Sequence, residues 1–177
     1  MLPGLTARWQ QIGNARLRHT GHTSLYARQM PLDPSFVGRS YPPTPAYLVG
    51  REKIREFAKA IGATDAAYHD PDAARALGYA DVIAPPTFPT VVSFASNNAV
   101  VDDPDLAIDY SRVVHGDQRF QYTRPIVAGD ELVGRQTIEE IISRGGHDFI
   151  TTRTDITDST GASVAIAWSK LVVRGEG

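Results

Sequence analysis

The chain has 177 residues, of which 42% are hydrophobic and 21% charged, with a net charge of −2 and no cysteine. That length makes one domain, able to bury roughly two-thirds of its unfolded surface. The near-neutral balance offers no basic face to nucleic acid or anionic membrane. Missing thiols exclude disulfides, thiolate metal centres and cysteine catalysis, and fit a reducing cytoplasm.

Residues 1–29 hold Arg8, Arg16, Arg18 and Arg28, and no acidic residue precedes Asp33. The segment is Arg-rich like a transit peptide but has neither an amphipathic period nor a secretory apolar core. It reads as a floppy extension ahead of Met30, with one domain over 30–177. His19 and His22 lie in it without a third ligand, too little for a metal site.

Prolines 42, 43 and 45 make an extended linker, because each pushes its predecessor out of helical space. A short strand is expected over 46–49. Ile54, Phe57, Ala58 and Ile61 recur at helical spacing over 51–61, giving an amphipathic helix that stops at Gly62. A polar turn over 62–71 leads to a short alanine-rich helix ended by Gly78-Tyr79. The elbow Ile83-Ala84-Pro85-Pro86 then starts an apolar helix over 87–99, since proline is tolerated in a first turn. This helix reads as buried, and it is too short to span a membrane. Residues 102–105 form a solvated acidic turn that lacks the pattern of a calcium loop.

The last third alternates in the manner of strands over 117–124, 131–143, 147–157 and 162–173. Phe120 and Tyr122 share a face, as do Val164, Ile166 and Trp168. Gly145-Gly146 and residues 158–161 punctuate hairpins. Helices first and an antiparallel meander after them make an α+β layer fold.

Gly62, Asp70, Gly78-Tyr79 and Ile83-Ala84 resemble the hydratase-2 segment of MaoC-like dehydratases. That segment runs G-D-x-N-P-[IL]-H-x-D, then A-x-x-x-G-[FY] and I-A-[HP]-G. Residues 31–38 and the run Arg124-Pro125-Ile126-Val127-Ala128-Gly129-Asp130 resemble the same family. The resemblance spans about residues 31–174 and implies a hotdog fold, a sheet wrapped around the apolar helix. The family's aspartate falls on Ala63, its asparagine on Asp65 and its histidine on Tyr68.

Dehydrating a 3-hydroxyacyl thioester takes an acid/base pair within hydrogen-bond reach of the substrate. It also takes a donor for the thioester oxygen as negative charge develops there. The family resemblance places that donor near the start of the central helix, where Pro85 and Pro86 lack an N–H and Ala84 and Thr87 keep one. Tyr68, Ala84, Pro86, Thr87 and Phe88 are the expected substrate-binding residues. Asp65 and His69 are the candidate replacement pair. The competing reading is a polar turn in which Asp70 receives local backbone N–H bonds. His115 reads as a loop residue ahead of a strand, and His147 as exposed at a hairpin tip. No nucleotide-binding or nucleophile-elbow motif is present, and no metal or cofactor is expected.

The tyrosine at 68 and the I-A-P-x-T-F helix start resemble the accessory subunits of mycobacterial-type (3R)-hydroxyacyl-ACP dehydratases. That resemblance implies a heterodimer in which this type of chain shapes the acyl pocket and a MaoC-like partner supplies the aspartate and histidine. The substrate would be an acyl-ACP or acyl-CoA thioester, and Arg119, Arg124 and Arg135 are possible contacts for an acidic carrier. Two alternatives stand beside it: a homodimeric (R)-specific enoyl hydratase using Asp65 and His69, and a non-catalytic acyl-thioester binding protein.

Overall fold

Alternation over the last third builds one antiparallel sheet, in the order β1-β3-β4-β5-β2. A computed structural model describes residues 31–175, and the extension expected over 1–29 lies outside them. The strands are β1 (Tyr47–Leu48), β2 (Val113–Tyr122), β3 (Glu131–Arg144), β4 (His147–Asp158) and β5 (Ser163–Val173), and the helices are α1 (Arg51–Ala60), α2 (Pro71–Ala76) and α3 (Thr90–Val101). The sheet curls around α3, which packs on β3 and β4, and the architecture is the α+β hotdog fold.

Cross-strand register places the core. Gly134 pairs with Ile156, Ile156 with Ala165 and Ala165 with Tyr122, so these four form one row on the helix-facing side. The next row is Gln136, Thr154, Ala167 and Phe120. Small residues in these rows leave room for the helix. A Cβ on Gly134 would sit 2.9 Å from Ser96 Oγ and 3.0 Å from Val92 Cγ1. Burying Val92, Val100, Ile138, Ile150 and Ile156 removes apolar surface from water at roughly 25 cal/mol per Å².

The apolar helix starts three residues later than expected and runs two residues further. Residues 86–89 are turns, and Pro89 O accepts the amides of Val92 and Ser93, so the third proline sets the start. Nor is the helix buried all round. Val92, Ser93, Ser96 and Val100 are buried, whereas Phe94 is 48% exposed and meets His115 edge-on at 5.7 Å. His115 itself belongs to β2 rather than a loop, because the strand's first residues pair with the end of β5. His147 is exposed, as expected.

The turn over 102–105 is not fully solvated. Asp103 is 7% exposed, accepts the Tyr41 hydroxyl at 2.7 Å and pairs with Arg39 at 3.2 Å. The strap ahead of β1 also bonds to the edge of β3, through Gly38 N to Ile138 O and Tyr41 N to Gln136 O. No helix among the described residues is long and apolar enough to cross a membrane.

Candidate functional site

The elbow ahead of α3 is held by the loop that joins β2 to β3. Ala84 N donates to Ile126 O at 2.8 Å, Ala128 N donates to Val82 O at 3.0 Å, and Ile83 bridges Val127. Arg124 stiffens that loop through Asp130 at 2.7 Å and Asp158 at 3.2 Å, which commits this arginine internally. Of the other two arginines, Arg119 stacks on Trp168 at 3.9 Å and Arg135 is exposed.

Backbone donors at the elbow can now be assigned. Pro85 and Pro86 have no N–H, the Ala84 amide is taken by Ile126, and Phe88 N donates to Pro85 O at 2.9 Å. Within 84–88, Thr87 N–H is the one amide without an acceptor among the described residues. Thr87 and Pro86 are exposed, Ala84 is buried, and Phe88 is fully buried with its ring edge-on to Phe57 at 5.3 Å.

Around residues 62–71 the chain turns sharply, and Asp65, His69 and Asp70 each have a local partner. Asp65 caps a 3₁₀ turn by accepting Ala67 N at 2.9 Å. Asp70 caps α2 by accepting Asp72 N at 2.9 Å, with Pro71 in the first turn. His69 Nε2 bonds the Ala63 carbonyl at 2.9 Å, so that nitrogen carries the proton. No hydrogen bond joins Asp65 to His69 among the described residues.

Consecutive residues here face different environments. Tyr68 packs against the core cluster that contains Phe88 and Val82. His69 instead lines an open depression of about 430 Å³ with Glu52, Arg55, Glu56, Lys59 and residues 62–64. Arg55 Nε holds the His69 carbonyl at 2.8 Å. Among the described residues no three metal-ligating side chains converge.

A residue assigned from sequence only to a strand face proves to belong to this region. Tyr122, on the helix-facing side of β2, donates its hydroxyl to Pro86 O at 2.6 Å. Burial first, and the neighbouring Tyr68 hydroxyl second, hold this phenol above its ordinary range, so it remains a protonated donor at neutral pH. Its signal was a tyrosine on a buried face near a strand end, where a phenol needs an acceptor.

Residues 35–167 match the model of the FAS1-like dehydratase domain region. The UPF0336 protein of Streptomyces griseus subsp. griseus is 59% identical over 145 residues, 82% of this chain and 97% of that protein. The solved HadBC (3R-hydroxyacyl-ACP dehydratase) complex of Mycobacterium tuberculosis contains a chain 33% identical, at TM-score 0.69, covering 77% of this chain and 96% of that one. A MaoC-like dehydratase is 34% identical at TM-score 0.74; the match covers 80% of this chain and 43% of that longer one. The chain belongs to the FAS1-like dehydratase family of MaoC-like hotdog proteins.

Proposed function

We propose that this chain is a subunit of a (3R)-hydroxyacyl thioester dehydratase or enoyl hydratase in fatty-acid metabolism. It shapes the acyl pocket, and a MaoC-like partner supplies the aspartate and histidine. A cytoplasmic location belongs to the same reading. The observation that carries it is the pair of residues at the expected acid/base positions, Ala63 and Tyr68. Alanine transfers no proton, and tyrosine's ordinary pKa of about 10 lies far from the roughly 6.5 of histidine. Support comes also from the similarity to a chain of the HadBC complex, which is itself assembled from two kinds of subunit.

In hydration, water oxygen bonds to the β-carbon of the enoyl thioester while its proton goes to the partner's base. The C=C electron pair shifts toward the thioester oxygen, and the α-carbon then takes a proton to give the 3-hydroxyacyl product. The Thr87 amide is this chain's contribution, a donor for the oxygen that becomes negative. Tyr68 and Pro86 form the wall beside it, backed by the fully buried Phe88.

The test is hydration of crotonyl-CoA and longer enoyl-CoA by the purified chain, alone and with a MaoC-like partner carrying the intact pair. Each missing acid or base typically removes about 10²–10⁴-fold in rate, so the chain alone should act barely above background. Such effects are seldom additive. His69→Ala should leave the turnover of the assembled enzyme unchanged, whereas removing the partner's histidine should abolish it. Robust hydration by the single chain that disappears with His69 would overturn the subunit reading in favour of an Asp65–His69 enzyme. Thioester binding with no activity in any assembly would instead point to a binding protein.

A further inference from the structure

The free Thr87 amide and the Pro86 carbonyl belong to one peptide unit, and the carbonyl already accepts the Tyr122 hydroxyl at 2.6 Å. All described peptide bonds are trans, so this C=O and this N–H point in opposite directions from a rigid plane. A proton donated to the carbonyl draws density from the amide nitrogen by resonance and makes its N–H a stronger donor. Hydrogen bonds linked in this way strengthen one another by about 10–30% each.

The clamp comes from outside the elbow. Tyr122 lies 36 residues away in sequence and is positioned by β2, where it pairs with Ala165 of β5. Local bonds hold the other side: Phe88 N donates to Pro85 O, and both Thr90 N and Thr90 Oγ1 donate to Thr87 O. Pro85 and Pro86 restrict φ on the N-terminal side of the bond that Tyr122 grips. The Pro86–Thr87 peptide is therefore fixed in orientation, with its N–H directed away from Tyr122.

We infer that Tyr122 is a positioning residue, which orients and polarises the Pro86–Thr87 peptide so that Thr87 N–H holds the carbonyl oxygen of an acyl thioester. The inference rests on the thioester-binding reading above and deepens it. Tyr122 does not touch the ligand, because its hydroxyl occupies the opposite end of the peptide dipole. Its effect grows with charge on the ligand oxygen, so it favours the enolate-like state over the ground-state thioester.

The experiment uses the full chain and crotonyl-CoA labelled with ¹³C at the thioester carbonyl, observed by infrared difference spectroscopy. Bound to the wild type, the C=O stretch should fall below that of free crotonyl-CoA. In Tyr122→Phe the lowering should shrink, by roughly the 10–30% that one linked bond supplies or more, while affinity changes by less than about threefold. Replacing Tyr122 by 3-fluorotyrosine keeps the shape but makes the phenol more acidic, and should deepen the lowering. This second variant keeps the test decisive if Tyr122→Phe fails to fold. The same series should move the Thr87 amide ¹⁵N resonance without ligand, which a purely structural tyrosine would not do in graded fashion. A carbonyl stretch that is lowered equally in all three proteins would overturn the role of Tyr122 alone. Failure of the wild type to bind crotonyl-CoA, alone or with a partner, would overturn the thioester reading itself.

Discussion

The Tyr41 hydroxyl meets the Asp103 carboxylate at 2.7 Å, although 62 residues separate the two in the chain. Arg39 reaches the same carboxylate at 3.2 Å and also Asp105 at 2.7 Å. These contacts tie the strap ahead of β1 to the turn that ends α3. Burial first, and the bond to Asp103 second, push the Tyr41 phenol well above its ordinary range, so the donor is present at every ordinary pH.

Tyr41→Phe removes that donor and leaves Asp103 buried with Arg39 as its remaining charged partner. A hydrogen bond to a charged group contributes about 1.5–3 kcal/mol. The urea midpoint should fall accordingly with an unchanged slope, since the surface exposed on unfolding is the same. An unchanged midpoint would mean that the strap is not latched there.

Gly134→Ala tests how closely α3 lies on the sheet. The new methyl would stand 2.9 Å from Ser96 Oγ, 3.0 Å from Val92 Cγ1 and 3.2 Å from Thr154 Cγ2. Overpacking of this sort costs about 1–3 kcal/mol. Thermal melting should register the loss, and a neutral result would show that the helix can move off β3 without cost.

Acid stability should depend on Asp158. Its carboxyl is held down to about 2 by hydrogen bonds from the Thr160 hydroxyl first, then from the Thr160 amide, Arg124 and the Ala162 amide. Its unfolded value is about 3.9. A lowered folded pKa means that the contribution is complete above about pH 4 and lost as pH falls toward 2. Asp158→Asn should therefore lower the melting temperature at neutral pH and flatten its decline between those limits. Salt should weaken only the Arg124 share, because the group is near the surface. Parallel pH profiles for the two proteins would contradict the assignment.

β2 has β5 on one side and no strand on the other among the described residues. Val114 is 42% exposed and Phe94 48% exposed along this edge. Unpaired edges are templates for another strand, so sedimentation at micromolar concentration should give a dimer or a one-to-one complex with a MaoC-like partner. Val114→Lys should weaken that assembly by about tenfold or more, as expected when a charge is placed in a desolvated contact. A stable monomer indifferent to such a partner would count against the subunit reading.

Local pattern determined much of this protein. Alternation at Phe120 and Tyr122 marked which side of β2 is buried, because side-chain direction along a strand has a fixed period. In β5 the pattern misled, since the small residues Ala165 and Ala167 face the helix and the larger Ile166 and Trp168 lie half-buried on the other side. Glycines and prolines at 62, 71, 78, 85 and 86 marked the turns, since their allowed backbone angles depend on no distant contact. Ala63 and Tyr68 were likewise legible as a departure from the MaoC pattern. Tertiary structure alone decided which polar groups are occupied. The Ala84 amide meets Ile126, Tyr122 meets Pro86 and Asp103 meets Tyr41, each partner tens of residues away. Such pairings follow from how the sheet curls over α3, and a hydrogen bond needs placement to within a few tenths of an ångström that no local residue pattern encodes. The same holds for His69, whose neighbour Tyr68 faces the core while its own ring bonds Ala63 in a depression beside α1.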